Sequence, residues 1–571
     1  MAGEEGQTNG STPGERVAIG IAFGNSNSSI AYTTIEDKAE VIANEDGDRQ
    51  IPSILSYVDG EEFNGQQAKQ QLVRNSKNTV AYFRDFLGQD FKSIDPTHTH
   101  ASAHPQEKDG TIVFTIQDHE GDTPSTVAVS EVATRQFKRL AKSASDFLGK
   151  TVNAAVITIP TNFSDSQKAA ITKAANAAGI EVLQLIHEPI AATLAYDART
   201  DSTVSDKTVL VADLGGTRSD VAVIASRGGM YTILATAHDY EFAGVHLDQV
   251  LQDHFAKEFI KWNKTDPREN ARSLAKLKLE AEATKKALSI GTNASFSVES
   301  LADGIDFAST INRLRYETIA RKVFDGFNRL AEAVVKKAGF DVLDIDEVIL
   351  SGGTSHTPRI ASNFQSIFPE TTTILAPSTT SSAINPSELQ ARGAALQASL
   401  IQEYAAEDIE QSTHAAVTTV KHLTNAIGVL SISEDPSQGV FQPIIAAETA
   451  VPARRTIHIA APKDGGDVLV KIVEGGSHIK VTKPEPKSNG TKAETSDSDD
   501  DSEEDSDEEE PEEQREKVWK VGNTLAEIAV HGVQKGGKIE VMINVAADLS
   551  ATITAREVGG KGGVRGTLSS A

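Results

Sequence analysis

The sequence predicts an α/β region of two similar lobes followed by an all-β sandwich. Three observations carry this expectation. A strand–glycine turn–strand pattern stands at Val209 to Val223 (VLVADLGGTRSDVAV) and recurs at Val17 to Tyr32 (VAIGIAFGNSNSSIAY). A related strand running into Gly352-Gly353 stands at Glu347 to Pro358 (EVILSGGTSHTP). Beyond about residue 404, the alternation of strands and amphipathic helices gives way to short strands separated by turn residues.

A glycine turn between two strands lets backbone N–H dipoles approach an anion closely, so it can cradle phosphate oxygens. A single such turn is also what an ordinary hairpin uses. Recurrence over a long α/β chain points instead to two lobes closing on one nucleotide.

Composition sets the bounds. The 571 residues suffice for two or more domains. No apolar run is long enough to span a bilayer. Met1 to Glu15 is polar and Gly-rich, read as a disordered tail without a secretory signal. The absence of cysteine excludes disulfides and thiolate metal sites and favours a cytoplasmic protein. A net charge of -26 argues against non-specific nucleic-acid binding, and about half of it lies in Glu485 to Glu516.

In order, residues 16–404 read as the nucleotide-binding region. Thr151 to Pro160 is a buried strand. Ser164 caps a helix that ends near Gly179. Glu181 to Ile186 is a strand, and His187-Glu188-Pro189 opens the helix Ile190 to Tyr196. Leu274 to Ile290 is a long helix carrying Glu282, Lys285 and Lys286, and Asp303 to Phe307 a short strand or turn. Tyr316 to Ala338 and Ser387 to Tyr404 are helices. Residues 405–422 read as a linker. Residues 423–571 read as a β-sandwich with strands at Ala426 to Ile432, Arg455 to Ala461, Val468 to Val473, Lys538 to Val545 and Ala551 to Arg556. Residues 484–516 cannot bury a core and read as a disordered acidic insert. Within it, Ser496, Ser498, Ser502 and Ser506 each precede an acidic residue by three positions, as acid-directed kinases prefer; the plainer reading is a solvated loop. His98, His100 and His104 sit in a polar loop and read as exposed rather than as metal ligands. The Gly-rich stretch Gly559 to Ala571 predicts no helical lid after the strands.

Six ordered motifs carry a family resemblance: GIAFGNSNSSIAY, TIPTNFSDSQKAA, HEPIAATLAY, DLGGTRSDV, SLADGIDFASTINRLRYE and EVILSGGTSHTPRI. Over nearly its whole length the chain resembles the seventy-kilodalton heat-shock (DnaK-type) chaperones. Among them it is most similar to the atypical, truncated branch of the fungal ribosome-associated complex. The resemblance implies an actin-like nucleotide-binding domain of two lobes, a linker and a β-sandwich of peptide-binding type.

By the same resemblance, Lys69 matches the lysine that orients the attacking water at the γ-phosphate. Glu188 and Asp213 match carboxylates that hold water around Mg²⁺. Gly24, Asn25 and Ser26 form the first phosphate loop, and Gly215, Gly216, Thr217 and Arg218 the second. Glu282, Lys285, Lys286 and Ser289 surround the adenosine, Lys286 standing for a stacking arginine. Gly352, Gly353, Thr354 and His356 form the turn on its other side, and Pro160 relays nucleotide state between lobes.

Departures from the family pattern bear on activity. The first loop's metal-organising aspartate is Ala22, and its two threonines are Asn25 and Ser26. Where the family reads DLGGGTFDV, Thr217, Arg218 and Ser219 are substituted and Asp220 is kept. His356 replaces an arginine, and Ser387 an acidic residue. Arg218 either adds a fixed positive charge beside the phosphates or points to solvent. The Leu-rich linker strand is missing from Ala415 to Leu423. These departures lead to the expectation of ATP binding with little or no hydrolysis, with Mg²⁺ a possible companion. The partners the resemblance implies are a J-protein of zuotin type bound on the β domain, the ribosome mainly through that partner, and an active chaperone of the same family. No membrane and no direct DNA binding are expected. The alternatives are an ATP-hydrolysing foldase, a nucleotide-exchange factor of the large heat-shock type, and a sugar or acetate kinase.

Overall fold

The computed structural model describes the chain apart from residues 1–15, 96–101, 118–122, 200–204, 414–419, 432–438, 463, 483–513, 561 and 570–571. The N-terminal tail, His98, His100, residues 414–419 of the linker stretch and the four insert serines lie outside the described residues. His104 is exposed, immediately before the strand Pro105–Lys108. The chain divides into two units, Met1–Thr419 and Val420–Ala571.

The first unit contains two five-membered strand paths with one topology. In lobe I the order is Glu181–His187, Ala154–Ile159, Ala18–Phe23, Asn27–Thr33, Ala39–Ile42. In lobe II it is Thr373–Leu375, Glu347–Ser351, Lys207–Leu214, Ser219–Arg227, Met230–Asp239. In each, the central strand pairs antiparallel with the strand that follows it through a glycine turn. On its other side it pairs parallel with a later strand. The recurrence seen in the sequence is therefore a duplicated fold.

Local chemistry explains the central strand of lobe I. Ile19, Ile21 and Phe23 alternate onto one face and enter the lobe I core with Phe83 and Phe137. Gly20 and Ala22 occupy the other face, which must be small because the helix Leu389–Ile401 crosses it; a side chain at Gly20 would strike the backbone of Ala391 and Ala395. Lobe II packs its core around Phe255, Phe259, Phe296 and Phe327.

Ser164 caps the helix Asp165–Ala177 in a reciprocal box with Gln167, and Gly179 follows at φ 87°. The predicted helix 316–338 is two helices, Arg313–Ile319 and Arg321–Lys337, meeting at Ala320. The predicted short strand at 303–307 belongs to a longer hairpin, Asn293–Ala302 with Ile305–Asn312, turned by Asp303-Gly304 at positive φ. The stretch read as a linker begins as a helix, Ala406–Thr413, with Ile409 buried against Leu183, Ile186 and Ile401.

The second unit has two four-stranded antiparallel sheets. One orders Val440–Ile445, Ala426–Ser431, Gly466–Thr482, Gln514–Val533; the other Ala453–Ala460, Lys538–Val545, Ala551–Glu557, Gly563–Leu568. They share a core of Val429, Ile445, Ile472, Ile528, Val541, Ile543 and Ile553. Three of these strands were not anticipated: Val440–Ile445, Gln514–Val533 and Gly563–Leu568. Gln514–Val533 pairs with Gly466–Thr482 from Gly466↔Val533 to Thr482↔Gln514, so the acidic segment leaves from the tip of a long hairpin. Among the described residues, no helix is long and apolar enough to cross a membrane.

Candidate nucleotide-binding site

The three glycine turns meet at a cleft of about 1230 Å³ in the first unit. Gly215 donates its N–H to the Arg218 carbonyl, closing the second turn at 3.0 Å. The Gly215 carbonyl accepts from the Gly244 N–H at 3.0 Å and from Thr354 Oγ1 at 2.9 Å, which ties this turn to the helix Gly244–Asn263 and to the third turn. Gly352, at φ 83°, lies so close to Leu214 and Asp213 that no side chain fits. A Cβ on Gly216 would run into Ser26 of the first turn, so the loops of the two lobes touch.

Every residue assigned to the nucleotide lines this cleft. Gly24, Asn25, Ser26, Gly215, Gly216, Thr217 and Arg218 line one end. Glu282, Lys285, Lys286 and Ser289 come from one side of the helix Ala271–Ile290, three or four positions apart. Gly352, Gly353, Thr354 and His356 line the opposite wall. Ala22 also reaches the cleft, and its methyl group belongs to an apolar cluster with Ala31, Val41, Ala391 and Ala395. Pro160 is buried directly after its strand and is not part of the lining.

Four of the departures from the family pattern contact one another in two pairs. Asn25 Nδ2 donates to Thr217 Oγ1 at 3.0 Å, buried between the lobes. His356 Nε2 lies 3.1 Å from Ser387 Oγ.

The charged centre is built by the second turn. The antiparallel register sets Asp213 directly opposite Asp220. Glu188, first residue of the helix Glu188–Asp197, joins them, and oxygens of all three lie within 4.8 Å of one another. Like charges facing across a ladder are unfavourable unless compensated. Burial pushes Glu188 well above the usual carboxylate range, Arg84 pulling down against it and Asp213 and Asp220 adding to it. Burial and Asp220 push Asp213 up as well. Two guanidinium groups offset the cluster. Arg218 grips both oxygens of Asp220, its Nε to Oδ2 at 2.6 Å, and also donates to Tyr240 Oη at 2.8 Å and Asn162 Oδ1 at 2.9 Å. Arg84 donates to Glu188 Oε1 at 3.1 Å and to Asp85 at 2.7 Å, over the face of Phe163.

Two sequence expectations are corrected. Lys69, matched by the resemblance to the lysine at the γ-phosphate, is paired with the helix Ala271–Ile290 rather than with Glu188 or Asp213. Its Nζ is held by both oxygens of Glu282 at 2.6 and 2.7 Å, across the cleft from the helix Ala271–Ile290. The buried cation acting on both Glu188 and Asp213 is Arg84, with Arg218 also acting on Glu188. Arg218 does not point to solvent, being 4% exposed, nor is its charge unopposed, because Asp220 pairs with it. Sequence reasoning missed Arg84 and Gln390, whose Nε2 donates to Asp213 Oδ2 at 2.8 Å. The basic residues that the helix Ala271–Ile290 presents to the cleft are also paired: Lys285 with Asp248 at 2.8 Å and Lys286 with Glu282 at 2.8 Å. Burial would raise Glu282, but Lys69, Lys286 and Lys285 outweigh it and hold the carboxyl at about 2.

Two lobes of one topology, with glycine turns facing each other over a cleft, define a nucleotide-binding protein of the two-lobed α/β type. The profile of the Hsp70 protein family matches residues 18–488, and the chain belongs to that family. It is 43% identical over 550 residues to the ribosome-associated complex subunit SSZ1 of Saccharomyces cerevisiae, covering 96% of this chain and 99% of that protein. It is 45% identical over 558 residues to a heat shock protein 70 homolog of Schizosaccharomyces pombe, covering 97% and 96%. Heat shock 70 kDa protein 14-B of Xenopus laevis is 32% identical over 468 residues, covering 82% and 89%.

Members of this family pair their nucleotide with Mg²⁺, so the fit of the cluster to a divalent ion matters. Magnesium takes oxygen ligands in octahedral geometry, usually one or two carboxylates plus phosphate and water. Asp213 Oδ1 is buried without a hydrogen-bond partner and could serve. Both oxygens of Asp220 and one of Glu188 are already taken by guanidinium groups, which cannot be deprotonated. As arranged, Asp220 is wholly and Glu188 partly committed to guanidinium groups, so the trio fits a divalent cation poorly, and Glu188 keeps one oxygen for its water shell.

Proposed function

We propose that this chain is a ribosome-associated, non-catalytic chaperone subunit that holds ATP in the cleft with little or no hydrolysis. In this reading it forms a stable cytoplasmic complex with a J-protein of zuotin type. The complex assists a second, active chaperone acting on nascent chains. The observation that carries the reading is the remodelled charge of the cleft. Ala22 stands in an apolar cluster where the family places an aspartate, and Arg218 pairs with Asp220 beside the second turn. Phosphoryl transfer is catalysed almost wholly by positioning and by compensating developing charge, so moving the charges costs rate more than it costs binding. The backbone turns that would cradle phosphate are kept. The similarity to a subunit of the yeast ribosome-associated complex supports the placement at the ribosome. A β-sandwich can accept an extended partner segment along a strand edge, which is how the J-protein would bind.

The test combines binding and recovery. Purified protein is titrated with ATP, held for hours at working temperature, and the nucleotide is separated and identified. Saturable binding with ATP recovered intact supports the reading. Recovery as ADP, at a turnover typical of foldase chaperones, contradicts it. Mixing with the J-protein and following size-exclusion elution tests the complex separately.

A further inference from the structure

The centre of the cleft holds two guanidinium groups, those of Arg218 and Arg84, among its carboxylates. Three carboxylates, Glu188, Asp213 and Asp220, crowd within 4.8 Å. Left alone they would repel a triphosphate, and a divalent cation is the ordinary remedy. Here the remedy is built from the chain. Arg218 is 4% exposed and bound at both nitrogen positions of its fork to Asp220, and Arg84, also 4% exposed, binds Glu188. Neither can move far. Arg218 is clamped by Tyr240 Oη and Asn162 Oδ1 as well as by Asp220, and its guanidinium lies 5.0 Å from the centre of the Tyr240 ring. Arg84 is fixed by the Phe23 carbonyl, at the edge of the first turn, and by Asp85. A guanidinium has five N–H donors. The bonds of Arg218 use its Nε–H, one N–H of Nη1 and two of Nη2, which leaves one Nη1 N–H for a ligand oxygen.

Two fixed, permanently charged groups thus lie where the family resemblance places metal and its water. They offset the charge of Asp220 and part of that of Glu188 without the dehydration that Mg²⁺ resists. Guanidinium is weakly hydrated and suits phosphate oxygens.

We infer that Arg218, supported by Arg84, takes over the charge role of the divalent ion, so that this cleft binds metal-free ATP. This rests on the proposed ATP binding and adds which ionic form of the nucleotide is accepted. It also accounts for why Asp220 has no oxygen left for a metal.

The experiment is a calorimetric titration of the full chain with ATP, once in excess magnesium chloride and once in excess EDTA. The account expects dissociation constants that agree within about threefold. An affinity in EDTA weaker by about tenfold or more overturns it while leaving ATP binding itself intact. No binding in either buffer overturns both this inference and the proposed function. The variant R218T sharpens the assignment. Its affinity in EDTA is expected to fall by about tenfold or more and to return when magnesium is added. Unchanged EDTA-resistant binding in folded R218T would remove Arg218 from the role. The comparison on the wild-type chain decides the metal question even where R218T does not fold.

Discussion

The two glycine turns hold equivalent places in the two lobes, yet only one carries charge. Each follows the central strand of its sheet and leads into an antiparallel partner. The penultimate residue of the strand Ala18–Phe23 is Ala22, set opposite Ser29; the penultimate residue of Lys207–Leu214 is Asp213, set opposite Asp220. The same register therefore gives a small, nearly neutral pair in lobe I and a pair of carboxylates in lobe II. Around Ala22 the neighbours are apolar, and around Asp213 they are Glu188, Arg84, Arg218 and Gln390. Backbone geometry, which makes a concavity for phosphate, is shared by the two turns. Side-chain charge, which would drive chemistry there, is not. Under the proposed function, binding and catalysis rest on separable parts of one fold, and the backbone part is present in both lobes.

The largest effect is expected from breaking the charged turn. D220N leaves Arg218 buried without its carboxylate, and loss of one partner from a buried pair costs about 3–5 kcal/mol. Urea unfolding of the full chain should show the loss in the transition belonging to the first unit, and S29A in the neutral turn should cost far less. Equal losses would mean that the two turns are not distinguished by charge.

Next comes the contact between the turns. G216A drives a methyl group into Ser26, so a loss of about 1–3 kcal/mol is expected from overpacking. The double variant G216A/S26G should recover most of it, because the obstruction is the Ser26 side chain. Failure to recover would place the strain in the backbone of the second turn.

A smaller effect tests the bond between the two substituted residues. The N25A/T217A double-mutant cycle should show a coupling of about 0.5–1.5 kcal/mol, the net worth of one buried hydrogen bond. Additivity of the single losses would contradict the bond.

The last effect concerns pH. Glu282 is held at about 2, below its ordinary value of 4.5. A carboxyl with a lowered folded-state value stabilises the fold above the ordinary range, and that contribution is lost as pH falls from there toward 2. E282Q should flatten this part of the stability profile, measured as the unfolding midpoint between neutral and acidic pH. A profile unchanged by E282Q would mean that Lys69 and Lys286 do not act on it.

The duplicated topology was legible because periodic apolar strands and glycine turns are local signals, and they stand at Val17 to Tyr32 and at Val209 to Val223. The assigned part of the lining was legible through the family resemblance, which matched those residues motif by motif. What escaped depends on contacts far apart in sequence. Lys69 looks free in NGQQAKQQ, and its partner Glu282 lies 213 residues away. Arg84 looks like an ordinary surface charge in FRDF until the fold seals it against Glu188, 104 residues on. Gln514–Val533 was hidden for a different reason. Its opening, QREKVWK, is as charged as the acidic run before it, and only pairing with Gly466–Thr482 marks it as strand. The helix Ala406–Thr413 shows one buried apolar side chain, Ile409, too little to announce itself by periodicity.

The measurement that bears most directly on the account is single-turnover hydrolysis, with protein in excess over labelled ATP, alone and with the proposed J-protein partner. The account predicts that bound ATP stays intact over hours in both conditions. Rapid conversion to ADP, accelerated by the J-protein, would mean that the charge missing at Ala22 is supplied elsewhere and that the cleft is a working ATPase.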